Sequence, residues 1–254
     1  MQILLTVAYD GTNYAGWQRQ DNAVAVQQRI EEALSALLSR SVQVRAASRT
    51  DAGVHALGQR VCFHAPDSRV PLDKLPMVLN GLLSPDISVT DAIIVPDEFN
   101  PRFDAQHKTY SYSIYNAPCP HPLLARYSVF IPQALDTEKM QEAAQVFIGQ
   151  HDFAAFCATG SSAKTTVREI YSCNVEKQPN DIVVLTITGN AFLYNMVRII
   201  AGTLLYVGMG KIPSGDISAI IASKNRKRAG KTMPPEGLVL LNVAYILDKP
   251  PSVR

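Results

Sequence analysis

The chain has 254 residues, 47% hydrophobic and 18% charged, enough to bury a sizeable core in one large domain or two modest ones. A net charge of +2 and a pI near 8.3 fall short of a strongly basic nucleic-acid domain, so charge permits an RNA or DNA partner without arguing for one. Cys62, Cys119, Cys157 and Cys173 form no Cys-x-x-Cys pair and show no metal-ligand spacing with the five histidines, which excludes the common zinc frameworks and points to free thiols in a reducing, cytoplasmic compartment.

Residues 2–9 alternate at period two and predict a first strand; this apolar run is too short, and lacks the basic leader, for a signal peptide. The long loop 10–20 holds the only tryptophan, Trp17, expected either to fold back on the core or to meet a ligand. Residues 26–39 predict an amphipathic helix with Val26, Ile30, Ala33, Leu34, Leu37 and Leu38 on one face. Between the alternating runs 42–46 and 59–64 lies a loop that places Arg49, Thr50, Asp51, Gly53 and His55 within seven residues. Such a cluster reads equally as a turn, begun by Asp and completed by Gly, or as a site displayed by a rigid sheet. A helix over 72–83, with Asp73 as N-cap and Pro76 in its first turn, and a strand over 87–95 complete a β-α-β-β-α-β order, the ferredoxin-like arrangement.

A boundary falls at 98–104, dividing the chain into halves 1–104 and 105–254. Residues 108–115 predict a strand with Tyr110 and Tyr112 on one face. A proline-marked loop, a helix over 136–148 capped by Asp136, and strands over 170–176 and 182–188 follow. Residues 191–210 are nearly apolar and long enough to suggest a membrane span, but Asn195 and Arg198 sit near the middle, where Arg costs about 2.5–3.5 kcal/mol. A buried core helix from Phe192 is the better reading, and its guanidinium then calls for a carboxylate partner. A helix over 214–223 and a last strand over 238–246 repeat the mixed order of the first half. The run 224–231 carries five positive charges, either a solvated helix end or a phosphate-contacting patch.

Glycine-rich nucleotide loops, Gly-x-Ser-x-Gly and His-Glu-x-x-His are all absent from the sequence. Ser161 to Lys164 matches Ser-x-x-Lys without a companion motif. An enzyme built from this chain would work with a carboxylate, arginines and tyrosines, with no nucleotide cofactor, metal or serine nucleophile.

Five segments in order, YDGTNYAGWQRQ, SRTDAGVHALGQ, FNPRFDAQHKTYSYSIY, NAFLYNMVRIIAGTLL and PPEGLVLLNVAY, resemble the TruA family of tRNA pseudouridine synthases and span almost the whole chain. Ser48 stands where many members have Gly, and Lys108-Thr109 replaces a more basic pair. The resemblance implies an α+β fold of two ferredoxin-like halves, forming a long mixed sheet with an RNA-binding cleft between them. It makes Asp51 the catalytic aspartate, and implies that Arg49 helps hold the flipped nucleotide, that Tyr110 lies against the target base, and that Arg198 is the basic partner of Asp51. It further implies a homodimer acting without a cofactor on uridines in the 3′ strand of the tRNA anticodon arm, at positions 38–40. Isomerisation exchanges nothing with a cofactor, and a base that must leave the stack suits an aromatic pocket. His55 reads as structural. A non-catalytic tRNA-binding protein or RNA chaperone, and a synthase of the same family with another RNA target, are the alternatives.

Overall fold

The computed structural model describes residues 1–65 and 70–247. Two compact units emerge, one of Met1–Gln106 together with the chain from Leu240, the other of His107–Val239.

In the first unit the elements are β1 (Gln2–Tyr9), α1 (Val26–Leu38), β2 (Arg45–Ala46), β3 (His55–His64), α2 (Leu75–Asn80) and β4 (Ile87–Val95). β1 is the central strand, antiparallel to β3 through Ile3↔Phe63 and Leu5↔Val61 and to β4 through Ile3↔Ile94 and Leu5↔Ala92. Ile3, Leu4 and Leu5 are all buried, as expected of a strand covered on both faces. One cover is the apolar stripe of α1, whose Val26, Ile30, Ala33 and Leu34 are buried. Against the other, Leu4, Cys62, Val95 and Phe99 form a cluster with Ile93, Tyr245 and Leu247 packed on it. The order β4-β1-β3, with β2 on β3, is that of a ferredoxin-like βαββαβ unit.

Two local expectations change. The run 42–46 contributes only a two-residue strand, although Val42 and Val44 are buried. The expected helix over 72–83 divides into a 3₁₀ turn, Leu72–Lys74, and the short α2, and Asp73 caps neither. Pro76, tolerated only in a first turn, fixes where the α-helix proper begins.

In the second unit the elements are β5 (Ala105–Tyr115), β6 (Val129–Phe130), α3 (Thr137–Gln145), β7 (Gly149–Asp152), β8 (Val167–Gln178), β9 (Ile182–Gly189), α4 (Met196–Gly208) and α5 (Ile217–Ser223). Strands β5-β9-β8-β7 pair antiparallel and β6 joins β5 in parallel, so the sheet is mixed and the fold α+β. Tyr112, Ile187, Cys173 and Val175 point into the core on one face. There α3 lies along β8, with the Gln141 side chain accepting from Val175 N at 2.6 Å and Gln145 donating to Cys173 O at 2.9 Å.

Asp136 caps α3 as the sequence predicts, accepting from Lys139 N at 3.0 Å and holding Lys139 Nζ at 2.8 Å. That pair lowers the Asp136 carboxyl below its ordinary range, the side-chain bond to Lys139 being the main cause. Helix α4 starts at Met196 rather than Phe192, because Asn195 adopts a left-handed conformation (φ 59°) and the preceding residues form a turn. Its 13 residues are nearly all buried, and no helix among the described residues is long and apolar enough to cross a membrane. The last strand, β10 (Leu238–Tyr245), lies beside β3 through the part that belongs to the first unit, where a Cβ on Gly58 would collide with the Leu241 carbonyl.

Candidate active site

The loop 47–54 that carries Arg49 and Asp51 is held from both sides. On one side Gln59, fully buried on β3, donates to Ser48 O at 2.8 Å and accepts from Ser48 N at 3.3 Å. This places Ser48 by its backbone. On the other side lies the loop that follows β1. Trp17 N donates to Thr50 O at 3.0 Å, Gly53 N donates to Tyr14 O at 3.4 Å, and the Tyr9 and Thr50 hydroxyls share a buried bond of 2.8 Å.

Glycine is required at this contact. Gly16 has φ +93°, and a Cβ there would come 2.7 Å from Thr50 O and 3.0 Å from the Asp51 carbonyl carbon; one on Gly11 would collide with Val54 O. The loops therefore meet backbone to backbone. Tyr14 anchors the arrangement at its far end by donating to Asp86 Oδ1 at 2.7 Å; burial first, with the Asp86 contact adding, raises its phenol above the ordinary value. Asp51 and Thr50 thus sit half-buried and buried, while Arg49 between Ser48 and Thr50 is exposed. The result is a carboxylate on a fixed backbone with an exposed cation two residues away.

Trp17 takes the structural option, 2% exposed with its ring 6.0 Å from that of Tyr9. His55 is buried and lies 3.0 Å from Gly11 N and 3.1 Å from Asp10 Oδ1, contacts that call for opposite roles at Nδ1. The direction of the Gly11 N–H is fixed by the chain, so Nδ1 accepts from it. His55 fastens the two loops together, in keeping with its structural reading.

In the second unit Tyr110 is buried on β5, edge-on to Phe192 with centroids 5.1 Å apart and planes at 81°. Its same-face neighbour Tyr112 is fully buried and donates to Pro234 O at 2.7 Å; burial pushes its phenol far above the ordinary range, so it stays neutral. Arg198, in the first turn of α4 six residues beyond Phe192, is half-buried. Its Nε donates to Met233 O and its Nη1 to Asn195 Oδ1, each at 2.6 Å, while Met233 N returns a bond to Arg198 O at 3.2 Å. These bonds lock the guanidinium plane. The turn 192–198 therefore links Tyr110 to Arg198, as the loop 47–54 links Arg49 to Asp51.

The sequence marks Thr50 only as a member of the loop cluster and gives no role to Tyr9, Gln59 or Gly16. Only the paired glycines of the first loop hinted at a close backbone approach. The basic run 224–231 is less uniform than its composition. Lys224 pairs with Asp152 at 2.8 Å, a bond that lowers the Asp152 carboxyl. Arg226 donates to Gly230 O at 2.8 Å and to Thr232 Oγ1 at 3.0 Å, while Lys227, Arg228 and Lys231 are exposed.

A family model described as tRNA pseudouridine synthase matches residues 5–104 and 143–246. A protein named tRNA pseudouridine synthase A from Caldicellulosiruptor bescii is 48% identical over 243 residues, covering 96% of this chain and 99% of its own length. One of the same name from Ruminiclostridium cellulolyticum is 48% identical over 244 residues, with the same coverage. A third, from Myxococcus xanthus, is 46% identical over 253 residues, covering 99% of this chain and 94% of its own. With blocks matched in both units and relatives aligned nearly end to end, the chain belongs to the tRNA pseudouridine synthase family.

Proposed function

We propose that this protein converts uridine to pseudouridine in tRNA, with Asp51 as the catalytic carboxylate and Arg49, Tyr110 and Arg198 as substrate-binding residues. The observation that carries the reading is the backbone clamp on the loop 47–54, which presents Asp51 half-buried at a fixed position beside an exposed arginine. A group that must meet a reacting atom gains most from such prior placement.

The reaction breaks the bond between N1 and C1′, turns the base, and forms a bond from C5 to C1′; C5 gives up its proton and N1 takes one. The atoms balance with no external donor or acceptor. Asp51 supplies a carboxylate that attacks C1′, attacks C6, or removes a ribose proton. Extruding the base costs a few kcal/mol, which stacking in an aromatic pocket offsets. Tyr110, rigid against Phe192, is suited to that contact, and it is also the candidate to take the C5 proton, directly or through water. Arg49, exposed and two residues before Asp51, holds the flipped nucleotide or its phosphates; Arg198, its plane set by Asn195 and Met233, supplies a second cation. The target uridines are those of the 3′ strand of the anticodon arm, positions 38–40, and the working form is a homodimer in the cytoplasm.

The test is tritium release from tRNA labelled at C5 of uridine, with wild type and Asp51→Asn and no added cofactor. Release by the wild type alone, with tRNA affinity nearly unchanged in the variant, is expected. Release by both removes Asp51 from the chemistry, and tight binding with release by neither makes the protein a tRNA-binding module.

A further inference from the structure

On β8, Cys173 and Val175 alternate into the core beneath α3, and continuing that period would bury the side chain of residue 171 as well. The ladder breaks there. Ile170 pairs with Gly189 and Ser172 with Thr188, the next residue along β9, so Tyr171 is the unpaired extra residue of a β-bulge. The bulge turns Tyr171 out of the core: it is 47% exposed, and its ring meets that of His107 edge to face, centroids 6.4 Å apart at 89°.

The partners define where this pair lies. On β5, Tyr110 and Tyr112 are buried on one face, so His107 and Thr109 belong to the opposite, more exposed face. On that face, one or two residues along the strands from the rings, Thr109, Thr188 and Ser172 stand across three adjacent strands as a row of hydroxyls, with Thr109 Oγ1 2.9 Å from Thr188 Oγ1. A half-exposed aromatic held by a second ring, next to a row of small donors and acceptors, matches a nucleoside: the base covers the ring, and its edge or ribose meets the hydroxyls. A peptide side chain would use the ring but has no need of the hydroxyl row.

We propose that Tyr171, braced by His107 and flanked by Thr109, Thr188 and Ser172, is a stacking platform for an unpaired nucleotide of the RNA substrate other than the target uridine. The inference rests on the proposed tRNA substrate and adds a second base-binding site to it. Tyr110, three residues along β5 from His107, serves the opposite face of that strand, so the two sites take different nucleotides. The bulge is what makes the platform: in a regular ladder the same tyrosine would be a core residue.

The probe is an anticodon-arm RNA carrying the fluorescent base 2-aminopurine at successive unpaired positions, mixed with wild type, Tyr171→Ala or Tyr171→Phe, with tritium release measured in parallel on unmodified tRNA. Stacking on Tyr171 quenches one probe position in the wild type and in Tyr171→Phe, which keeps the ring, and leaves it bright in Tyr171→Ala. The alanine variant weakens RNA binding and raises KM roughly 5- to 150-fold with kcat retained, the range a lost base–aromatic stack produces. Wild-type turnover together with unaltered quenching and KM in folded Tyr171→Ala overturns the platform and leaves the proposed function standing. Loss of a dimer by that variant in sedimentation, with quenching unaltered, makes the face a protein interface and also overturns it. A wild type that neither binds the RNA nor releases tritium removes the proposed function and this inference with it.

Discussion

Between Tyr9 and Thr50 a single buried hydroxyl–hydroxyl bond joins the end of β1 to the residue preceding Asp51. Tyr9→Phe deletes one hydroxyl and strands the other, which costs about 1–3 kcal/mol when the remaining group stays buried. We expect a lower urea midpoint and a fall in kcat with KM nearly constant, because the change loosens the loop rather than removing a substrate contact. A loss of stability with kcat unchanged would show that the bond serves the fold alone. The Gly16 approach is a stricter constraint, since both its φ and its contacts with the backbone of residues 50–52 exclude a side chain.

At the level of elements, α4 meets the segment 230–233 with no side chain between them. A Cβ on Gly202 would collide with Lys231 O, and Gly230 N donates to the Thr203 hydroxyl at 2.8 Å. Gly202→Ala, which would gain about 1 kcal/mol in an exposed helix, should here lower the thermal midpoint by several degrees, since nothing in the contact can yield except backbone. Arg198 leans on the same segment through Met233, so the variant should also raise KM for tRNA; an unchanged KM would separate the packing from the site. This level shows what was legible in the sequence. Period-two runs located β1, β4, β9 and most of β10, and the cap at Asp136 and the apolar stripe of α1 were plain, because side-chain chemistry sets them. Strand β7 and the parallel rung β6 were passed over, being short stretches whose pairing depends on distant neighbours. Asp51, Arg49, Tyr110 and Arg198 could be selected as candidates from their motifs, whereas the clamp around Asp51 could not. It is made of carbonyls, amide groups and missing side chains, which leave no pattern of residue type, and the bulge at Tyr171 is likewise invisible to an alternation rule.

For the molecule as a whole, an overall charge of +2 understates how cations are distributed and overstates how many are available in the run 224–231. Arg226 gives two donors internally and Lys224 is paired with Asp152, whereas Lys227, Lys231 and Arg228 (which gives only one long bond, to Ala219 O at 3.4 Å) are exposed and best able to meet phosphate. Replacing those three by Ala should weaken tRNA binding and flatten the log–log salt dependence by roughly 0.7–0.9 per lost phosphate contact. An unchanged slope in filter binding across a salt series would make the run a solvated surface. Strand β10 carries a different consequence. Its residues from Leu240 belong with the first unit, beside β3, where Leu241 meets Gly58 and the Tyr245 ring lies 5.8 Å from the Arg60 guanidinium. During synthesis the chain bearing Asp51 leaves the ribosome well before β10, so the sheet behind its loop is one strand short until β10 has been made. At about 5–20 residues per second, the wait for the roughly 190 residues between Asp51 and β10 is about ten seconds or more. A nascent first unit spends that time with an open edge on β3, where chaperone capture and proteolysis would find it.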